Sequence, residues 1–239
     1  RAILGTGRAV GGQDAALVLG RWEPLDARPG ATVTLEGVGE HVARFVTAAQ
    51  PGLNFTEFDW IRTGALSDET AWTTSFSTKE LAGPRFERYV HRYRPVPVTV
   101  RLSEGAHGYL LVRVLAAAAI TGAPVAVSSA TPLHPGLIEL FGEQDSPVDV
   151  AEVLVESDTR WRARVQAGEI ATTRIRLIGG DGDVLARVLH GQPGIAVHAG
   201  PVTTSGRFEL LPFLREQSIC LRLSGVETPT SSLRILNIR

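Results

Sequence analysis

The sequence predicts an α/β fold, a doubly wound and mostly parallel Rossmann-like sheet preceded by an irregular N-terminal lead-in. Two observations predict it. From about Pro95 onward, short apolar runs rich in Val and Ile alternate with helical stretches, the pattern of parallel strands joined by crossover helices. Before Pro95 the composition turns to Gly, Thr and aromatic residues with little periodicity, so two regions are expected, 1–94 and 95–239. A chain of 239 residues, 44% hydrophobic and 21% charged, has the composition of an ordinary globular domain and the length for one such domain with a lead-in.

Taken in order, Ala31 to Leu35 reads as a strand and Gly39 to Ala49 as a helix of the lead-in. In the second region Val96 to Leu102 is the first strand. The Ala- and Leu-rich stretch Ala106 to Thr121 follows as a buried helix, closed by Gly122 just past its end. Pro124 to Ser128 is the second strand. The turn-forming Thr131-Pro132-Leu133-His134-Pro135-Gly136 then leads to a short helix over Leu137 to Phe141. Val150 to Val155 is the third strand. Ser157 is placed to cap a helix running through Ala167, with Asp158 in its first turn, where a negative charge is favoured. Arg174 to Ile178 makes the fourth strand. Gly179-Gly180-Asp181-Gly182-Asp183 turns the chain into a helix over Val184 to Leu189, closed by Gly191, and Ile195 to His198 makes the fifth strand. Phe208 to Glu216 reads as a helix carrying Pro212 in its first turn, Ile219 to Leu223 as a sixth strand, and Leu233 to Ile238 as an edge strand.

Charge and composition exclude several functions. A formal net charge of −1 provides no basic field to gather phosphate backbones, so nucleic acid is not expected as a partner. The single cysteine, Cys220, allows no internal disulfide and no multi-Cys metal site, and points to a reducing, cytoplasmic setting. The longest apolar run, Tyr109 to Ile120, is broken by Arg113 and is far shorter than the roughly 20 residues of a transmembrane helix. The chain opens on Arg1, with no basic-then-apolar leader, and contains no Met, so it is expected to be a piece of a longer reading frame.

Six groups of residues are candidates for carrying chemistry. Gly5-Thr6-Gly7-Arg8-Ala9-Val10-Gly11-Gly12 is glycine-rich but has Val10 where a dinucleotide fingerprint needs its third glycine. Gly179 to Asp183 does lie at a strand-to-helix turn, where converging amides can cradle phosphate, but Asp181 and Asp183 would repel it. A plain tight turn is the expectation. His41, His91, His107, His134, His190 and His198 are scattered, with no pair at metal-ligand spacing. Ser128 and Ser129 follow a strand without the flanking glycines of a nucleophile elbow, and Cys220 in an apolar strand is expected to pack as a small buried hydrophobe. In Arg85-Phe86-Glu87-Arg88-Tyr89-Val90-His91-Arg92-Tyr93-Arg94, bases interleave with aromatics. This fits an amphipathic interface strand better than a single-strand nucleic-acid platform. No catalytic, cofactor-binding or metal-ligating residue is assigned.

Two stretches resemble a known family. The opening Arg1-Ala2-Ile3-Leu4-Gly5-Thr6-Gly7-Arg8-Ala9-Val10-Gly11-Gly12-Gln13-Asp14-Ala15-Ala16-Leu17 resembles the end of the catalytic half of glutamate semialdehyde dehydrogenases fused to proline dehydrogenase, the proline utilization A family. More specific are His91-Arg92-Tyr93-Arg94-Pro95, Arg101-Leu102-Ser103-Glu104-Gly105-Ala106, Leu115-Ala116-Ala117-Ala118 and Ala199-Gly200-Pro201-Val202-Thr203. With them goes Gly206-Arg207-Phe208-Glu209-Leu210-Leu211-Pro212-Phe213-Leu214-Arg215-Glu216-Gln217. Together these are similar to the family's C-terminal domain, an aldehyde-dehydrogenase-type Rossmann unit without an active site that covers the tunnel between two real ones. After Gln217 the family continues toward a His-Arg-Tyr or His-Arg-Phe element, and this chain departs from it with Cys220-Leu221-Arg222-Leu223-Ser224-Gly225.

The resemblance implies that the nucleophilic Cys, the general-base Glu and the NAD and FAD sites belong to a parent enzyme upstream of Arg1, with no cofactor in this chain. It also implies that Gly5 to Gly12 is a return path out of the catalytic domain, that Leu17 to Leu25 enters an oligomerisation flap, and that the partners are the parent's catalytic domains and further copies of itself. The expected function is therefore a non-catalytic, tunnel-sealing domain of an enzyme that oxidises proline to glutamate. Two alternatives stand beside it. One is an independent Rossmann-like small-ligand binder or enzyme using the carboxyl ends of the strands; the other is an oligomerisation module built on residues 17–35 and 85–94.

Overall fold

The computed structural model describes residues 4–8, 14–18, 34–82, 87–192 and 194–222. It divides into two compact units, Arg1–Thr34 and Leu35–Arg239. The first is seen as an antiparallel pair, β1 (Leu4–Arg8) with β2 (Asp14–Val18), in register from Leu4 opposite Val18 to Arg8 opposite Asp14. The composition break at Pro95 falls inside the second unit, because the helices that precede it pack on the layers that follow.

That second unit opens with α1 (Glu40–Ala49) and α2 (Phe55–Thr74). The α2 helix starts on a reciprocal cap: Asn54 Oδ1 accepts from Glu57 N at 2.9 Å, and Glu57 Oε2 accepts from Asn54 N at 2.9 Å. β3 (Lys79–Ala82) and β4 (Glu87–Pro95) follow, then the parallel core: β5 (Val98–Leu102), α3 (Gly108–Thr121), β6 (Val125–Ser129), α4 (Pro135–Phe141), β7 (Val150–Val155), α5 (Asp158–Gln166), β8 (Arg174–Ile178), α6 (Gly182–Val188) and β9 (Ala196–His198). The five core strands are all parallel and lie in the order β7-β6-β5-β8-β9, so the chain starts in the middle of the sheet and winds outward in both directions. This is the doubly wound architecture the sequence predicts.

Helices cover both faces. On one, α3 carries α1 and α2, and α1 also meets α4. On the other, Trp161 and Val165 of α5 and Leu185 of α6, with Leu189, close over Ile175 and Leu177 of β8. The α3 helix is buried on nearly all sides, and its end is set by Gly122 at φ 66°, whose amide reaches the carbonyls of Ala118 and Ala119.

Three expectations are corrected at the C-terminal end. Phe208 to Glu216 is not one helix: α7 (Gly206–Glu209) is a single turn, Leu211–Phe213 a 3₁₀ turn, and Leu214 already begins β10 (Leu214–Arg222). Pro212 has no N–H to continue a helix, and the residues after it are taken up by a strand partner. Ile219 to Leu223 does not add a sixth parallel strand. As far as Arg222 it is part of β10, which pairs antiparallel with β4 in a separate sheet of order β10-β4-β3. Cys220 in that strand is exposed, since the outer sheet buries neither face fully. Of the strand expected over Ala31 to Leu35, only Thr34 and Leu35 are described, without regular structure; Leu19 to Leu25 and Leu233 to Ile238 lie outside the described residues.

One buried ion pair holds the corner between α2, α3 and α7. Arg113 Nη1 and Nη2 donate to Asp68 Oδ2 and Oδ1 at 2.7 and 2.8 Å, Arg113 Nε donates to the Thr203 carbonyl at 3.0 Å, and both charged side chains are shut off from solvent. Small residues make room for it. A Cβ on Gly64 would collide with the Arg113 guanidinium, and one on Gly206 would stand 2.5 Å from the Ser67 carbonyl. Gly64→Ala should therefore cost about 1–3 kcal/mol of unfolding free energy in urea titrations.

Burial pushes the Asp68 carboxyl up to about 6, against the opposing pull of Arg113. The native state then keeps a proton that the unfolded chain has released between roughly pH 4 and pH 6, so this group's contribution to stability is lost as pH rises through that window. Asp68→Asn removes the component. The variant's unfolding free energy minus the wild type's should rise by about 1–3 kcal/mol from pH 4 to pH 7, and a flat or falling difference contradicts the assignment.

Candidate functional site

A sheet of this strand order has its crevice where the winding reverses, outside the carboxyl ends of β5 and β8, and a dinucleotide would sit there with its pyrophosphate on the following helix N-terminus. The chain builds that crevice and narrows it with its own atoms. Ser103 N donates to the Ile178 carbonyl at 3.0 Å, which ties the two strand ends together. Gly179 has φ 77°, and a Cβ there would stand 2.5 Å from Ala106 Cβ; a Cβ on Gly180 would stand 2.6 Å from Ser103 Oγ. These glycines permit close packing of the protein on itself, as expected of a tight turn.

Asp181 caps the helix that follows this turn. Its Oδ1 accepts from the amides of Asp183 at 2.8 Å and Val184 at 3.2 Å, capping α6. The remaining cavity of about 210 Å³, lined by Ser103, Asp158, Trp161, Arg162 and Gly180 among others, is smaller than the roughly 300–1,000 Å³ of typical ligand sites. The turn from Gly179 to Asp183 thus packs on the protein itself and caps its own helix. Of the other glycine-rich run, Gly5 to Arg8 belong to β1, and Ala9 to Gly12 lie outside the described residues.

Beneath the crevice lies a charged network that sequence reasoning missed. Arg101, fully buried on β5, donates through Nη1 to Ser128 Oγ at 2.8 Å and through both Nη atoms to the Glu156 carbonyl at 3.1 Å. Its Nη2 also reaches Asp158 Oδ1 at 2.6 Å. Ser128 Oγ donates to Glu156 Oε1 at 2.8 Å, and Arg164 Nη1 meets the same oxygen at 2.7 Å. The Arg101 guanidinium lies 5.4 Å from the Trp161 ring centroid. Glu104 and Asp158 bond each other's amides, at 3.1 and 3.3 Å. Ser128 is thus a strut of this network. The signal was present in the sequence as an Arg inside an apolar strand run.

The other singled-out residues remain apart. His134 Nδ1 accepts from Gly136 N at 3.2 Å and caps α4, and His107 stacks on Tyr109 at the start of α3. Both border a second cavity of about 210 Å³, with Glu57 engaged in its own cap. His91 faces Glu216 across the β4–β10 pair at 3.4 Å, His190 sits at φ 51°, and His41 is exposed. Ser129 Oγ bonds the Thr131 carbonyl at 2.5 Å. Among the described residues no three His, Cys, Asp or Glu side chains form a metal-binding group, and no helix is long and apolar enough to cross a membrane.

No protein-family model matches the chain, and no curated protein does. Among solved structures it is similar to proline utilization A from Corynebacterium freiburgense, with TM-score 0.47 and 25% identity over 75% of this chain and 15% of that one. It is also similar to a betaine aldehyde dehydrogenase double mutant from Staphylococcus aureus, with TM-score 0.49 and 15% identity over 70% of this chain and 38% of that one. A third is succinic semialdehyde dehydrogenase from Streptococcus pyogenes, with TM-score 0.41 and 14% identity over 66% and 37%. The chain spans less than two-fifths of each.

The narrowed crevice makes a direct prediction. Calorimetric titration of the chain with NAD or NADP should give no saturable heat up to about 1 mM cofactor, equivalent to binding weaker than about 4 kcal/mol. Saturable binding near one to one contradicts the reading of the Gly179 to Asp183 turn.

Proposed function

We propose that this chain is a non-catalytic, Rossmann-like domain of a bifunctional enzyme that oxidises proline to glutamate. On this reading it seals the passage between the parent's FAD-dependent proline dehydrogenase site and its NAD-dependent glutamate semialdehyde dehydrogenase site, and supports assembly. FAD and NAD belong to the parent's other domains, and the chain works in the cytoplasm.

One observation carries the reading: the residues that bear the family resemblance are architectural here. Arg101 and Glu104 anchor the start of α5, and Glu209 neutralises Arg176 at 2.8 Å under α7. Arg92 to Pro95 form the end of β4, which pairs with Leu214 to Gln217 of β10. A motif set devoted to holding a shape, around a nucleotide-type crevice whose following helix Asp181 caps, suits a cover and provides no reacting group.

The test uses the full-length enzyme. Because α1 and α2 pack on α3, the deletion should begin at Leu35 and run to Arg239. Each half-reaction should persist, while proline-to-glutamate turnover should acquire a lag with release of the intermediate, and sedimentation should show an altered assembly. Coupled turnover without a lag, in an unchanged assembly, rules the proposal out.

A further inference from the structure

The face of β8 and β9 that points away from α5 and α6 has only a short cover. Arg174 and Arg176 alternate along β8 with Ile175 and Leu177, so their side chains leave the sheet on that face. There they fasten the segment from Thr203 to Leu214. Arg174 Nη1 donates to the carbonyls of Leu211, Pro212 and Leu214 at 3.2, 3.0 and 2.6 Å. Arg176 Nε donates to Glu209 Oε1 at 2.8 Å, and Thr203 N to Glu209 Oε2 at 3.0 Å.

The cover is incomplete. It leaves a cleft of about 550 Å³ bordered by Arg176, His198, Val197, Pro201, Phe208 and Leu211. Phe208 is 68% exposed and Leu211 43%, so two large apolar side chains stand beside a buried guanidinium.

We propose that this cleft binds a small organic carboxylate with an apolar body, its carboxylate on Arg176 and its hydrocarbon part on Phe208 and Leu211. Arg176 spends Nε on Glu209 and Nη1 on the carbonyls of Leu177, His198 and Gly200, and no partner among the described residues takes Nη2. A carboxylate accepts from such a nitrogen in a charge-assisted bond.

Around His198 stand the charges of Arg174, Arg176 and Glu209. Desolvation, followed by those two arginines, holds the His198 imidazole below its ordinary range, so it adds no charge of its own near neutrality. The volume lies within the roughly 300–1,000 Å³ of small-ligand sites, and apolar walls beside a few polar groups, here the Arg176–Glu209 pair, are their usual chemistry.

This inference stands apart from the proposed covering role. It is tested on the full chain with 3-phenylpropionate and its neutral isostere 3-phenylpropanamide, by calorimetry and ligand-observed NMR. The carboxylate should bind saturably with Kd of about 1 mM or tighter, and the amide about tenfold more weakly. The Phe208→Ser/Leu211→Ser double variant alters only exposed side chains. It should keep the wild-type melting temperature and lose about tenfold in carboxylate affinity. Absence of saturable binding, equal affinity for the amide, or full affinity in the folded double variant each overturns the proposal.

Discussion

Three buried guanidiniums constrain the second unit. Arg101, Arg113 and Arg176 are each almost completely withdrawn from water, and each meets a carboxylate far away in sequence: Asp158, Asp68 and Glu209. A buried cation without its partner costs several kcal/mol, whereas a complete pair is close to neutral against an apolar substitute of the same size. Their effect is therefore geometric more than energetic. Arg101 fixes the start of α5 against β5, Arg113 locks α2 to α3 and to the Thr203 loop, and Arg176 holds α7 under β8. Displacing any one of these segments strands a charge, so the layers have one satisfied arrangement among many with similar apolar burial.

The same dependence on side chains governs the crevice of the sheet. Strand order alone creates a crevice between β5 and β8, and what fills it depends on side chains. Here the α6 amides are capped by Asp181, and Gly179 and Gly180 pack on Ala106 and Ser103. Ligand chemistry is displaced to the opposite face of β8, where a single helical turn covers what a full crossover helix would otherwise bury.

Periodicity in the sequence located the core strands and α3, α5 and α6 to within a few residues, because buried parallel strands read as short apolar runs and the helices between them carry their own caps and stops. It missed what depends on charge. The stripe of α2, through Phe58, Ile61, Ala65, Asp68 and Ala71, is broken by an aspartate that looks like a surface residue until Arg113 is seen opposite it. The capping pair Asn54 and Glu57 was the legible sign of that helix. The arginines of β5 and β8 likewise find their partners only in the fold, although their place in apolar runs marks them as buried. Nor could local pattern assign β10 to β4, since that pairing joins residues more than 100 positions apart.

The outer sheet shows how far such side-chain ties reach. β4 lies between β3 and β10, yet none of its residues is fully buried, so apolar packing alone does little to position it. Phe76, just past α2, meets Tyr93 of β4 edge to face with ring centroids 4.9 Å apart. What aims the sheet is its root. Val96 N donates to the Phe213 carbonyl at 2.9 Å, and Arg174 of the parallel sheet grips the carbonyls on either side of the point where the 3₁₀ turn becomes β10. From there the ladder runs in unbroken register from Leu214 opposite Pro95 to Arg222 opposite Glu87. One arginine on β8 therefore sets the origin of a ribbon nine residues long, and the same arginine fastens the segment that walls the carboxylate cleft. Cleft and ribbon share a single mechanical anchor.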